Sequence, residues 1–136
     1  MIPVPLARAL RVAGLAWTPT SGDRFVVRDR DMDDQVFVLS DMTVELRTVG
    51  TGTVLAFNGT TEWALDSLDQ DEVLWLPGED QLRDLLGERF VRLEQTEGSW
   101  AVVTAYADDA SGAPPSVTTG STAAEAYALA LLATLT

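Results

Sequence analysis

The stretch TVELRTVGTGTVLAFNG, residues 43–59, decides the fold. Its first seven residues alternate between apolar and polar side chains and place Val44 and Leu46 on one face, which predicts a half-buried strand. The segment TVLAF at 53–57 is again apolar and β-branched, and a glycine-bearing turn separates the two runs. Together they predict an antiparallel hairpin, within a meander of strands that we expect over residues 24–66.

Two features of the same stretch carry competing interpretations. Gly50 and Gly52 match the start of a GxGxxG phosphate-binding loop, but its third glycine would fall at Leu55 and no helix follows. A hairpin turn therefore explains both glycines. Asn58-Gly59 is the preferred dipeptide of a type I′ turn, and the residues after it alternate again, which predicts a further strand.

Outward from this hairpin, the chain predicts more strands and a first helix. The β-branched or aromatic runs that predict strands are FVV (25–27), VFVL (36–39), VLWLP (73–77), RFVRLEQ (89–95), SWAVVTAYA (99–107) and VTT (117–119). The segment SLDQDE at 67–72 is interpreted as a polar break. Helical spacing predicts a helix from Pro5 to Ala13, stopped by Gly14.

A central helix is predicted within GEDQLRDLLGERF, residues 78–90. Glu79 and Asp80 fall in its first turn, where the helix dipole favours acidic groups, and Gly87 is a natural stop. We expect a buried stripe made of Leu82, Leu85 and Leu86.

The segment TAAEAYALALLATL, residues 122–135, predicts a C-terminal helix that is apolar almost all round, with Thr122 and Glu125 as a capping box. It is too short to cross a bilayer, so we expect burial against the sheet, with a homo-oligomer interface, such as a homodimer, as the alternative. The predicted fold class is α+β. One domain over 1–136 packs N-terminal, central and C-terminal helices against a mainly antiparallel β-sheet.

The chain has no cysteine, no histidine and no lysine, and all nine of its basic residues are arginine. These absences exclude thiolate and Schiff-base nucleophiles, the P-loop lysine and the commonest general base near neutral pH. We therefore expect no cofactor and no enzymatic activity. The alternative enzyme class is a hydrolase with paired carboxylates, for which the chain offers Asp66, Asp69, Asp71 and Glu72.

The net charge is −12, with 21 acidic residues. Such a surface repels a phosphate backbone, so we expect no nucleic-acid partner. Solubility is the simplest explanation of the charge, and the alternatives are a basic protein partner and mimicry of DNA. No apolar run is long enough to cross a membrane, and Arg8 and Arg11 interrupt the N-terminal segment where a signal peptide needs an unbroken apolar stretch. We expect a cytoplasmic location, and the arginine-only basic set suggests a GC-rich bacterial coding sequence.

The segment RDRDMDD, residues 28–34, is the strongest candidate site in the sequence. Its four aspartates are Asp29, Asp31, Asp33 and Asp34. The first three match the ligand spacing of a calcium loop, but the fourth stands where that loop needs glycine and Ser40 where it needs glutamate. We interpret the segment as a solvated acidic connection between strands. The two alternatives are a divalent-metal or small-ligand site and a surface that binds a basic protein.

Four tryptophans, at positions 17, 63, 75 and 100, offer large apolar surfaces. Large aromatic residues in strands more often belong to the core, and we expect this for Trp75 in its apolar run. Trp17, beside Thr18 and Pro19, is expected to be partly exposed and is therefore a further candidate for protein binding.

The order of several segments resembles a family of short, uncharacterised actinobacterial and phage-type hypothetical proteins. The segments that carry the resemblance are LARALRVAGLAWTPTSGDRFVV (6–27), RDMDDQVFVLSDMTVE (30–45), FNGTTEWALDS (57–67), VLWLPGEDQLRDLLG (73–87) and AEAYALALL (124–132). Some members carry the label "pilus assembly protein", which implies a P-loop-like ATPase, whereas this sequence has no Walker motif and no lysine. The resemblance implies a shared fold and a bacterial context, with no catalytic residues to carry over.

These features predict a small acidic protein that acts as a non-enzymatic protein-interaction or accessory domain. A metal- or ligand-binding module at Asp29–Asp34 is the first alternative, and the carboxylate-dependent hydrolase is the second.

Overall fold

The structure, a computed structural model, describes residues 1–27, 36–39, 43–49, 52–58, 67–69, 73–105 and 114–136. Its helices are α1 (Val4–Val12), α2 (Glu79–Leu86) and α3 (Ala123–Leu135). Its strands are β1 (Arg24–Val27), β2 (Val36–Val38), β3 (Thr43–Val49), β4 (Gly52–Asn58), β5 (Ser67–Asp69), β6 (Val73–Leu76), β7 (Phe90–Thr96), β8 (Ser99–Thr104) and β9 (Ser116–Gly120). The predicted α+β class, with antiparallel strands and helices near the start, middle and end, is confirmed.

The described strands form three antiparallel sheets of three strands each, with the orders β2-β1-β6, β3-β4-β5 and β7-β8-β9. The expected meander over 24–66 holds for neighbouring pairs such as β1–β2 and β3–β4. The second partner of β1 is β6, which lies far along the chain. Pairing on both sides suits β1 because Val26 and Val27 are buried, and local sequence does not reveal the distant partner.

Contacts divide the chain into two compact units, and each is described by itself. Unit 1 consists of residues 1–16 and 77–136, and unit 2 consists of residues 17–76. The predicted single domain over 1–136 stays a prediction.

Helix α3 is the centre of unit 1. It packs on β8 and β9 of the sheet and also contacts α1 and α2. Its buried residues are Ala124, Ala126, Tyr127, Ala128, Ala130 and Leu131. The expected burial of this helix within the chain is therefore confirmed for these residues. Leu135, at its C-terminal end, is exposed.

The helix ends in unit 1 follow the sequence closely. The Thr122 hydroxyl accepts the backbone N–H of Glu125 at 3.1 Å, which confirms Thr122 as the cap of α3. The Glu125 carboxylate in turn accepts the Ser121 hydroxyl at 2.8 Å. Gly14 and Gly87 follow α1 and α2 with φ values of 111° and 58°, a backbone region that favours glycine.

One expectation about α2 is wrong. Leu82 and Leu86 are buried, but Leu85 is 43% exposed. Helix α2 packs mainly on α3, and packing on one side of a helix buries a narrow stripe of residues one turn apart. The apolar pattern alone did not show that the stripe excludes Leu85.

In unit 2, strands β3 and β4 confirm the predicted hairpin. Val49 lies opposite Gly52, so the register leaves two residues for the turn. The interpretation of SLDQDE as a polar break is wrong for its first three residues, because Ser67–Asp69 forms strand β5 and pairs with β4. Strand pairing uses backbone groups, so a polar side-chain pattern did not exclude it. The predicted Asn58-Gly59 turn and the strand after it fall on residues 59–66, outside the described part.

Candidate functional site

Unit 2 contains an aromatic cluster built on the sheet β2-β1-β6. The strand register places Phe37, Phe25 and Trp75 in one row across the three strands. The rings of Phe25 and Phe37 lie 5.6 Å apart between centroids. Trp17 covers this row at 5.7 Å from Phe25 and stacks on Trp75 at 6.3 Å. Val27, Leu39 and Val73 complete the core, which we call the aromatic cluster.

Asp23 fixes Trp17 in this cluster. Asp23 is buried, with 4% of its surface exposed. Its carboxylate Oδ2 accepts the indole N–H of Trp17 at 2.8 Å and the backbone N–H of Thr20 at 2.9 Å. Residues 20–23 form a turn closed by the Asp23 N–H to the Thr20 carbonyl, with Gly22 at φ 93° in the third position, as a type II turn requires. The turn thus positions a buried carboxylate beneath Trp17.

The structure corrects the expectation for Trp17. The sequence predicts partial exposure, but the residue is 9% exposed and belongs to the aromatic cluster. Trp17 is buried because its ring stacks on Trp75 and its indole N–H bonds to Asp23. The residues beside Trp17 in the sequence do not predict either contact. Protein binding through Trp17 rested on its exposure and loses that basis. Trp75, expected in the core, packs against the cluster.

The indole Nε1 of Trp75 is buried and has no hydrogen-bond partner, the only such side-chain atom in the described part of the chain. A buried donor left unpaired costs about 1–3 kcal/mol. The aromatic cluster therefore carries one unsatisfied polar group next to apolar rings.

Strand β2 forms one edge of this sheet, since among the described residues it pairs with β1 alone. The N–H of Leu39, just after β2, donates to the Asp23 carbonyl at 2.8 Å, and the Leu39 carbonyl accepts the Gly22 N–H at 2.7 Å. Backbone groups of successive strand residues point to opposite sides. Those of Phe37 therefore point toward β1, and those of Val36 and Val38 point away from it.

The side chains of Val36 and Val38 are 40% and 58% exposed. They lie on the face opposite to Phe37, because side chains alternate along a strand. In the register, Val36 continues a row through Val26 to Leu74, both of which are buried. A buried apolar face thus extends to the outer edge of the sheet and becomes exposed there.

The aspartates of the acidic segment, Asp29, Asp31, Asp33 and Asp34, lie outside the described residues, so a site at these positions stays a prediction. In the described ranges, no group of three or more acidic side chains is placed to hold a metal ion. The sequence shows that most of the negative charge lies in unit 2. Residues 17–76 hold twelve of the 21 acidic residues and four of the nine arginines, a net charge of −8 out of −12.

Unit 1 contains a second polar and aromatic group around Tyr127. The Tyr127 ring lies 5.6 Å from Phe90, and the Arg83 guanidinium lies over Phe90 at 5.0 Å. Burial raises the pKa of the Tyr127 phenol, while Arg83 lowers it and Glu79 raises it. The net effect is a raised pKa, so the phenol keeps its proton to a higher pH than an exposed tyrosine does.

The sequence does not predict Asp23 and the two valines of β2, Val36 and Val38, as site residues. The segment TSGD carried a turn signal, but nothing in it showed that the aspartate would be buried under Trp17. In VFVL all four residues are apolar, so the sequence did not show which of them point out.

Within the described ranges, no helix combines the length and the apolar character needed to cross a bilayer. A scan against protein-family models, a search of curated proteins and a search of solved structures found no match to this chain.

Proposed function

We propose that this chain is a small acidic protein of the cytoplasm that acts as a non-enzymatic interaction or accessory domain for a basic protein partner. The observation that carries the proposal is the concentration of charge in unit 2, which has a net charge of −8 within 60 residues. Opposite charge accelerates the encounter with a basic surface and excludes acidic competitors, including nucleic acids.

The exposed apolar edge of the same unit supports the proposal. Val36 and Val38 offer apolar contact area beside a strongly acidic sequence, and an interface needs both desolvated apolar contacts and complementary charge. The absence of histidine, cysteine and lysine removes the commonest general base near neutral pH and the thiolate and amine nucleophiles, which favours binding over catalysis. Membership of the short actinobacterial and phage-type family is part of the proposal and rests on the order of segments alone.

The proposal is tested with charge-neutral variants and polyarginine as the basic probe. Neutralising Asp29, Asp31, Asp33 and Asp34 to asparagine removes four charges from unit 2. The matched control removes four charges from exposed positions of unit 1 through Asp80→Asn, Asp84→Asn, Glu88→Gln and Glu97→Gln. Both proteins keep a net charge four units less negative than the parent, so total charge is held equal.

Polyarginine is expected to bind the parent in a salt-dependent way, to bind the unit 2 variant several-fold more weakly, and to bind the control nearly as well as the parent. Equal weakening in both variants, or an affinity that does not change with salt, refutes a specific acidic surface in unit 2. Analytical ultracentrifugation of the parent tests, as a separate question, whether the chain forms a homo-oligomer.

A further inference from the structure

The outer edge of β2 suits one particular mode of binding, and this inference rests on the proposed function. We propose that an extended, basic segment of a protein partner adds as a fourth strand to the sheet β2-β1-β6, along Val36–Val38. Strand addition combines main-chain hydrogen bonds with alternating side-chain contacts.

The backbone supplies the first part of the argument. The carbonyl and N–H groups of Val36 and Val38 point away from β1, as the hydrogen bonds of Leu39 with Gly22 and Asp23 establish. In the described part of the chain no strand pairs with this side of β2. An added strand would satisfy these groups without breaking a bond that β1 makes.

The side chains define the sequence that would fit. Partner residues directly opposite Val36 and Val38 lie on the same face as these exposed valines and match them best when they are apolar and β-branched. A partner residue opposite Phe37 lies on the other face, where an arginine can place its guanidinium near the ring. The preferred segment therefore alternates apolar residues with arginine.

Charge decides against a second copy of this chain as the occupant. Pairing two β2 edges would bring two units of net charge −8 together, whereas a basic segment lowers the repulsion. The chain also has few arginines in unit 2 and no lysine with which to complement itself. The edge thus fits a basic partner better than self-association.

The test uses a short synthetic peptide in which valine and arginine alternate. Its two comparison peptides replace arginine with glutamate or carry N-methyl groups on the residues that would pair with β2. Val38→Pro removes the outward N–H of β2, and an edge strand tolerates proline at such a position. A second variant, Val36→Thr with Val38→Thr, keeps the backbone and removes apolar contacts. Val117→Thr, at an exposed valine of β9 in unit 1, is the control.

We expect saturable binding of the valine–arginine peptide, with slowed hydrogen exchange of the backbone amides of Val36 and Val38. Either β2 variant and the N-methylated peptide should bind about fivefold more weakly or worse, as expected for loss of one net hydrogen bond or its apolar contacts. The control should bind like the parent. Circular dichroism verifies folding, and the threonine pair retains the test if Val38→Pro fails to fold.

The outcomes separate this inference from the proposed function. If the peptide and polyarginine both bind, but neither N-methylation nor the β2 variants weaken the peptide, strand addition is wrong and the acidic binding surface stands. If polyarginine binds and the peptide does not, strand addition is again wrong. If neither basic probe binds, both proposals are wrong. Equal binding of the glutamate peptide overturns the charge preference.

Discussion

Asp23 is the residue on which the position of Trp17 depends most directly. Inside unit 2 its carboxylate accepts hydrogen bonds from the Trp17 indole and from the Thr20 backbone. Asp23→Ala leaves both donors without this acceptor, so we expect the free energy of unfolding to fall by about 1–3 kcal/mol. Urea denaturation followed by tryptophan fluorescence measures the change.

Trp17→Phe and the double variant complete a cycle that isolates the Trp17–Asp23 bond from the other contacts of either residue. We expect a positive coupling energy of about 1 kcal/mol. Additive losses in the double variant would show that the bond between the two side chains contributes nothing to stability. Asp23→Asn retains an acceptor oxygen and should lose less than Asp23→Ala.

Ionisation of Tyr127 should make the stability of unit 1 depend on pH in the alkaline range. Burial raises the phenol pKa above the reference value of 10.0, so the folded state keeps its proton after the unfolded state begins to lose it. The stabilisation is complete below about pH 10, the unfolded pKa, and is lost as the pH rises through the folded value. We expect the thermal midpoint of the parent to decrease as the pH rises through that range. In Tyr127→Phe the part of the decrease that comes from ionisation of Tyr127 should be absent.

The pKa of Tyr127 can be measured directly, because the chain has two tyrosines. Tyr106 is the other tyrosine of the chain, so in Tyr106→Phe the tyrosinate absorbance reports Tyr127 alone. Its titration midpoint should lie above 10, whereas in urea it should return to about 10. A native midpoint at or below 10 would contradict the raised pKa.

At the level of elements, the contact between β9 and α3 depends on a close approach. A Cβ at Gly120 would lie 2.6 Å from the backbone nitrogen of Ala126 and 3.0 Å from its Cα. The buried alanines of α3 permit this distance, and a methyl group has no room there. Gly120 thus fixes how near the helix lies to the sheet.

We expect Gly120→Ala to lower the free energy of unfolding by about 1–3 kcal/mol, because backbone must shift to relieve the overlap. Gly78→Ala is the comparison, since the tight contact of its new methyl group is with the Asp80 carboxylate at 3.0 Å, the end of a side chain that can rotate away. Thermal unfolding by circular dichroism measures both variants. A Gly120→Ala protein as stable as the parent would mean that α3 moves at no cost.

For the whole molecule, net charge is the dominant property. A chain with 21 acidic residues and nine arginines repels itself in the folded state, and salt screens that repulsion. We expect the thermal midpoint to rise as sodium chloride increases from about 0.01 M to about 1 M, over which the Debye length falls from about 30 Å to about 3 Å. A lower midpoint in high salt would show that attractive pairs outweigh the repulsion.

The same composition predicts little change in stability with pH between about 6.5 and 9, because the chain has no histidine or cysteine, the side chains whose ordinary pKa values fall near that range. Thermal scans across that range should agree within a few degrees. A steep change would identify an acidic residue with a strongly raised pKa.

The sequence by itself determined the local features of this protein. Two apolar runs on either side of a glycine-bearing segment predicted the β3–β4 hairpin. Gly14, Gly87 and Thr122 specified helix ends, because the positive φ of these glycines and the capping bond of Thr122 are local to the chain. Composition determined the net charge and, through the absence of histidine, cysteine and lysine, excluded reactions that need these side chains.

Tertiary structure decided which residues the fold buries. Trp17 is covered by Trp75 and bonded to Asp23, while Val36 and Val38 are exposed although they are as apolar as Phe37 and Leu39 beside them. The pairing of β1 with β6 also joins distant segments. Burial depends on partners that fold together from far along the chain, and side-chain patterns within one segment do not encode them.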